Sequence, residues 1–572
     1  MAVAAIPRRE TAVFRTCPAT GLKVDVAAER LIIANAVAAV VALLVGGILA
    51  LLIALTRWQA IHLLNPVWFY RLTTLHGIDM LIAWIVFFEV AGLYFGSTVA
   101  LNARMVKPAI GWLAFVLMVL GGALLNIIVL RGGADVMFTA YVPLRADPLF
   151  YLGYILFAVG ALIAVGLFFT NIIVAKAEGR YEGSLPLFTF GLVAAAIIAT
   201  YTLLSGAASL VPAFFWSLGW IENYDAGFYR NLFWGFGHPA QQINLSAMVA
   251  IWYVLAGITT GAVPLNEKLS RFAFILYIFF INLGAAHHLL VDPGPSFAWK
   301  ATNTSYAMYL AVLGSLIHAF SIPAAVEVAL RRRGHKRGLL EWLRRAPWRE
   351  PGFSALVISM IVFGWIGGVT GVTIGTEQIN MMAHNTMRVP GHFHATVVGG
   401  TTLAFMGLTY YLIPLIFRRE LKFKRLAIWQ PYVYGIGMAI VSVAMVAAGL
   451  QGVARRHWDI TFTQAPFQSP VPGTVHLALA VLGIGAIIAI VGGAMYLIVV
   501  LASVFTGKRC EATSVTLVID PPPAMGYLSE EEEKDPQLQP RGTFVIVLLF
   551  LMFFAAYYLS NWWLLGRAWM VR

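Results

Sequence analysis

Charge and cysteine are the scarcest commodities in this sequence. Only 11% of its 572 residues are charged, against 60% hydrophobic residues. That balance excludes a soluble globular protein, whose water-facing surface needs far more charge. It is the composition of an integral membrane protein. The two cysteines, Cys17 and Cys510, lie near polar ends of the chain, which excludes both a disulfide framework and a thiolate-held cluster. The first 30 residues are polar and basic and lack an apolar signal core ahead of a cleavage site, so the first apolar run is expected to stay. No strong internal repeat is visible. A net charge of +13 is placed as a topology signal, not as a nucleic-acid surface, and no nucleic acid is expected as a partner.

What the chain has in abundance is apolar runs long enough to cross a bilayer, at about 20 residues each. There are about thirteen, at 31–56, 72–100, 108–131, 150–175, 185–213, 229–260, 270–290, 303–330, 353–374, 391–417, 427–450, 472–506 and 542–566. The turns between them are short, so the expected fold is all-α: one polytopic helical bundle. Aromatics at 13%, with 17 Trp, suit interfacial belts and a packed interior. Loops after the even-numbered runs carry clusters such as Arg331 to Arg333 and Arg418, Arg419 and Lys422. By the positive-inside rule those loops, and the N-terminus with Arg8, Arg9 and Lys23, are cytoplasmic. The stretch 507–541, with Pro521 to Pro523 and Glu530 to Glu533, reads as a solvated cytoplasmic linker before the last helix.

Chemistry, if any, must come from histidine. Val389-Pro390-Gly391-His392-Phe393-His394 opens a long apolar run, and two histidines at i and i+2 point about 200° apart on a helix. They cannot share one metal, but they can serve two centres on opposite sides. Of the 12 histidines, His335, His62 and His457 read as solvated loop residues, and His318 and His476 as structural. The rest form a series along the chain: His76, His238, the pair His287-His288, His384, His392 and His394. Neutral imidazole is the commonest metal ligand and the usual axial ligand of haem iron. Six of these seven would fill two axial sites on one haem, one on a second, and three on a nonhaem metal.

The order and surroundings of these residues resemble the catalytic subunit, subunit I, of the haem-copper oxidoreductase superfamily, across nearly the whole chain. The likeness is to B-family oxygen reductases in particular, through Phe138-Thr139-Ala140-Tyr141-Val142-Pro143-Leu144, Gly237-His238-Pro239, His287-His288 followed by Val291-Asp292-Pro293-Gly294, and His384-Asn385-Thr386 running on to His394. The resemblance implies a single membrane domain over 1–572. It implies that His76 and His394 ligate a low-spin haem, that His392 ligates a high-spin haem, and that His238, His287 and His288 hold the nonhaem metal. Phe393 would lie between the haems. Arg455, Arg456 and His384 would contact haem propionates.

One departure from the family's pattern carries most of the functional reading. Oxygen reductases of this family place a tyrosine four residues after the first metal histidine, crosslinked to it; here Gln241-Gln242 stands there, with Gln242 at the tyrosine position. Splitting O₂ in one burst takes four electrons, and the tyrosine supplies the fourth with a proton. An amide does neither. Reducing two NO to N₂O and water takes two electrons, so Gln242, with Gln241 beside it, points to a nitric oxide reductase. The alternative is a B-family-like oxygen reductase lacking the usual tyrosine. From another class, a secondary transporter would also explain many spans, but it predicts charged midplane sites where this chain has histidines.

Further departures concern protons. Val249 replaces the first of two channel tyrosines and only Tyr253 remains. Thr302, Thr304 and Ser305 are expected near the channel entrance, with Ala307 and Met308 interrupting it. Asn380 replaces an aspartate implicated in proton loading. Proton delivery from the outer side without pumping is therefore expected. With three imidazoles and no carboxylate, copper is favoured over iron as the nonhaem metal, and a b-type low-spin haem is favoured. Asp79 and Glu89 in the second run and Glu327 in the eighth are candidate proton stations, with a structural role the more expected for each. The implied partner is a second membrane-anchored electron-entry subunit, a cytochrome c or a copper protein. The implied location is a prokaryotic cytoplasmic (inner) membrane, with the N-terminus cytoplasmic.

Overall fold

The computed structural model describes residues 13–18, 20–281, 287–463, 465–466, 470–510 and 526–568. Among these, twelve helices are long and apolar enough to cross a membrane. Numbered in chain order with one shorter helix, they are α1 (Val26–Arg57), α2 (Pro66–Leu101), α3 (Pro108–Leu130), α4 (Pro148–Ala177), α5 (Leu187–Ser217), α6 (Ala226–Thr260), α7 (267–281), α8 (Phe297–Arg332), α9 (Pro351–Gly375), α10 (Arg388–Phe417), α11 (Lys424–Leu450), α12 (Gly473–Thr506) and α13 (Arg541–Ala568). Among the described residues the bundle is polytopic and all-α apart from one small hairpin, as composition requires. The expected span at 270–290 is represented by α7, whose continuation through 282–286 lies outside the described residues. Arg8, Arg9 and Pro521 to Pro523 lie outside them too.

Ends of helices follow local chemistry. Asn65, Asp147, Asp225 and Asn266 cap α2, α4, α6 and α7 by accepting backbone N–H bonds, with proline in the first turn of α2 and α4, which satisfies donors that the bilayer cannot. The polar N-terminal stretch folds as a two-stranded antiparallel hairpin, Phe14–Thr16 with Lys23–Asp25, and Arg15 pairs with the buried Glu29 of α1. Small residues let helices close up. A Cβ on Gly492 of α12 would stand 2.5 Å from the backbone of Tyr434 on α11, the close approach that membrane helices use in place of a hydrophobic driving force.

Burial sorts the helices by role. The most apolar windows of α2, α6 and α10 are 72%, 78% and 89% buried, whereas those of α1 and α3 are 33% and that of α13 is 11%. The three enclosed helices carry His76, His238, and the pair His392 and His394. Two of them are locally widened into π-helix, over Asp79–Trp84 and His394–Thr402, a distortion that recurs at functional sites.

Candidate functional site: a histidine-lined cavity

His238 projects from the middle of α6, while His287 and His288 stand in the turn that follows α7. One ring nitrogen from each lies within 4.8 Å of the others. Their ring centroids are 4.1, 5.2 and 4.3 Å apart, so three neutral imidazoles converge on one point, the donor set of a borderline cation such as copper or zinc. Trp234, one turn before His238, stacks on His288 at 3.7 Å with the planes 4° apart. Its indole N–H is buried without a partner among the described residues. Nδ1 of His238 faces Nε2 of His288 at 3.1 Å, and the side-chain amide of Gln242 meets Nε2 of His238 at 2.8 Å. Gln241 turns to Asn244 instead, accepting from its amide at 3.4 Å.

The three histidines expected to serve as haem ligands share a single device. Nδ1 of His76 lies 3.0 Å from the Gly46 carbonyl, that of His394 2.7 Å from the Pro390 carbonyl, and that of His392 2.8 Å from the Gly367 carbonyl. A carbonyl only accepts, so each Nδ1 carries the proton and each Nε2 keeps its lone pair. Backbone carbonyls that fix the ring and tautomer in this way are the usual outer shell of a metal-ligating imidazole. His76 and His394 face each other with planes 17° apart and centroids 6.2 Å apart. Two metal–imidazole bonds of about 2 Å plus the half-width of each ring close a gap of that size, so the pair fits one iron between them. His392 leaves the opposite side of α10 toward α9. There Gly371 makes room for it: a Cβ would sit 2.5 Å from its Cε1. Phe393 lies between, its ring 5.0 Å from that of His394.

One rim of the site is a layer of cations. Met387 donates to the Val453 carbonyl and Arg455 to that of Asn385, each at 2.8 Å, and Thr386 bridges Ala454. This pairing carries Arg455 and Arg456 up to His384. Arg230 of α6 holds Asp292 through two hydrogen bonds and lies over the Tyr141 ring, with Arg456 on the same ring. Burial, with Arg456 alongside, lowers the Arg455 guanidinium to about 9. Burial also lowers His384; Asp292 opposes that shift, while Arg230, Arg455 and Arg456 reinforce it. Among the described residues no carboxylate pairs with Arg455 or Arg456. Two guanidiniums short of anions and an indole N–H short of an acceptor fit carboxylate-bearing groups such as haem propionates. Arg57 braces the same loop by donating to the carbonyls of Ala454 and Arg455. Sequence reasoning missed Arg57, Arg230 and Trp234; only Trp234 had a signal, its place one turn before His238.

The proton-related expectations change in detail. Thr304 and Ser305 donate to carbonyls one turn back, at the end of α8 remote from the basic 331–345 loop, so they do not stand at an entrance on that side. Nearer that loop, the Tyr253 hydroxyl bonds Ser270 at 2.9 Å and Nδ1 of the buried His318 at 3.0 Å, and Tyr277 bonds Ser315 at 3.0 Å. Asn380 is a clamp, donating to the carbonyls of Ile374 and His287 at 2.7 and 3.1 Å. Glu327 pairs with Arg331 and accepts from Gly542 and Thr543 at the start of α13. Asp79 accepts from Asn126 at 2.9 Å. His62, expected to be solvated, reaches the Thr56 carbonyl and packs on Trp458.

His238, His287, His288, His392, Phe393, Gln241, Gln242 and Arg455 all line a single cavity of about 310 Å³, a size suited to a small ligand. The 21 tyrosines of the sequence all fall among the described residues. Only Tyr154 lines this cavity, and its hydroxyl is engaged with the Phe138 carbonyl at 2.9 Å.

Comparison with known proteins gives the family. Residues 30–488 match the family model described as cytochrome c and quinol oxidase polypeptide I. The chain is 30% identical to the cytochrome c oxidase subunit 1 of Thermus thermophilus over 418 residues, 71% of this chain and 72% of that one. It is 26% identical to cytochrome c oxidase subunit 1 of Thermostichus vulcanus, over 72% of this chain and 74% of the relative. Among solved structures, a haem-copper terminal oxidase dimer superposes with a TM-score of 0.81 at 25% identity, covering 94% of this chain and 92% of the other.

Proposed function

Since this chain belongs to the cytochrome c and quinol oxidase polypeptide I family of multi-pass membrane oxidoreductases, we propose that it is the catalytic subunit of a respiratory nitric oxide reductase built on that scaffold. The observation that carries the reading is Gln242. It meets the ring of His238 at 2.8 Å where the resemblance places a redox-active phenol, and the one tyrosine of the cavity is committed to a backbone carbonyl.

In this reading His76 and His394 would hold a low-spin haem, His392 a high-spin haem, and His238, His287 and His288 a nonhaem metal, copper rather than iron since among the described residues no carboxylate joins the three imidazoles. When bound, these centres supply the two electrons that, with two protons, convert two NO to N₂O and water. The chain's own groups do the rest. Backbone carbonyls hold each axial imidazole in the tautomer that leaves Nε2 available. The Gln242 side-chain amide, 2.8 Å from Nε2 of His238, holds that ring in place beside the other two imidazoles. Arg455, Arg456 and His384 take the propionate side. The apolar cavity wall excludes water around an apolar gas. Electrons arrive from a membrane-anchored cytochrome c or copper-containing subunit on the face opposite the basic loops. The setting is a prokaryotic inner membrane, with those loops and the N-terminus cytoplasmic.

A second reading has its own support, because the relatives bear the name cytochrome c oxidase: an oxygen reductase whose fourth electron comes from a group other than a phenol beside His238. Metal content, NO turnover and O₂ turnover measured on one purified complex separate the two. NO reduction with O₂ consumption at background supports the first. Tight four-electron O₂ consumption overturns it.

A further inference from the structure

α2 carries a carboxyl that none of the roles above uses. Glu89 stands thirteen residues beyond His76, is 7% exposed, and has an Oε1 with no hydrogen-bond partner. Among the described residues no cation pairs with it. It nonetheless lines the same cavity as the imidazole cluster. A charge so placed would have nothing to offset it, so the side chain rests as the neutral acid.

Its level in the bundle follows from two hydrogen bonds. Thr189 of α5 donates to the Gly96 carbonyl of α2 at 2.9 Å, and Ser246 of α6 donates to the Gly191 carbonyl of α5 at 3.0 Å. Residues 96, 189 and 246 therefore lie within about 3 Å of one level, at 1.5 Å of rise per residue. Seven residues back along α2, Glu89 is about 10 Å higher, and on the parallel helix α6 that height is reached near Gln241. Gln241, Gln242 and Asn244 line the cavity with it. Gln241 is bonded to Asn244, and Gln242 to His238. The remaining titratable groups of the cavity wall are Tyr154, the imidazoles of His238, His287, His288 and His392, and Arg455 at the rim.

We propose that Glu89 is the internal proton donor of the cavity, giving its proton across the cavity it shares with Asn244, Gln241 and Gln242 to the gas being reduced beside His238. The carboxyl O–H bond breaks, the proton joins the oxygen that leaves as water, and the carboxylate is made neutral again by a proton from solvent. The electrons are those of the reaction already described. The proposal rests on the cavity being the reaction chamber and not on which gas is reduced, since NO and O₂ both consume protons there.

The test uses Glu89→Gln and Glu89→Asp in the purified complex, read by infrared spectroscopy and by single turnover of the reduced enzyme with whichever gas it consumes. The neutral-carboxyl C=O stretch perturbed by reduction should vanish in Glu89→Gln and shift in Glu89→Asp. With haem absorption unchanged, the proton-limited phase should slow by about 100-fold or more in Glu89→Gln, in the range expected of a lost general acid, and recover in part in Glu89→Asp. A band that survives in Glu89→Gln, or a phase slowed by less than about twofold, overturns the assignment. Should Glu89→Gln fail to assemble with its haems, Glu89→Asp decides alone: an unshifted band overturns it. Failure of the nitric oxide reading shows instead in the choice of gas, with the Glu89 signals intact.

Discussion

Gln242 is an amide bonded to an imidazole that itself lines a three-histidine cluster, and the consequence is measurable without knowing the substrate. Replacing it with leucine removes the hydrogen-bond partner that fixes the His238 ring, so Gln242→Leu should lower nonhaem metal affinity or turnover by about 10- to 100-fold, the usual cost of losing an outer-shell partner. Elemental analysis and turnover on the same preparation check this, with haem absorption as the control. The histidines themselves were legible in the sequence, because order and flanking residues such as Gly237-His238-Pro239 are chain-local. Their supports were not. The carbonyl of Gly46 serves His76 and that of Gly367 serves His392, and a backbone oxygen leaves no trace in residue identity. Arg57 and Arg230 were equally invisible, since a lone arginine at a helix end looks like any topology charge.

Helices show the same division between local pattern and distant contact. Twelve of about thirteen expected spans appear as long apolar helices among the described residues, because twenty apolar residues in a row have only one way to satisfy their backbone in lipid. The close approach of α9 to α10 at Gly371 could not be read that way. A Cβ there would stand 2.5 Å from His392. Gly371→Ala should therefore displace that imidazole, cost about 1–3 kcal/mol by overpacking, and reduce the high-spin haem signature while the signature assigned to His76 and His394 persists. Visible absorption of the reduced and oxidised enzyme reads both. Glu327 is the corresponding case for α13. The sequence favoured a structural role over proton carriage but could not name its partners Gly542 and Thr543, which lie more than 200 residues away. Glu327→Gln leaves Arg331 buried with its pair broken, which should destabilise the protein by about 3–5 kcal/mol. A shortened half-life on heating in detergent is the expected outcome, and unchanged stability would show that α13 is held by other means.

Across the whole molecule, hydropathy and the histidine series made the fold class and the superfamily readable, while the route of protons was not, because it depends on which side chains meet across helices. Asn380, at the position where the resemblance places a proton-loading aspartate, spends its amide on two backbone carbonyls and holds the His287 turn to the end of α9. Turnover in sealed vesicles should therefore consume protons without releasing any into the outer medium. A pH-sensitive dye outside the vesicles, with an uncoupler as control, reads the sign directly, and acidification would contradict the expectation. The backbone latch at the rim adds a mechanical point. Thr386 is bridged to Ala454 and Met387 is bonded to Val453, just ahead of the first residue of α10. A protein docking on the loop around 454 thus leans on a rigid lever whose short arm ends at His392, six residues further on, and its grip can tune the buried reaction chamber without ever reaching inside.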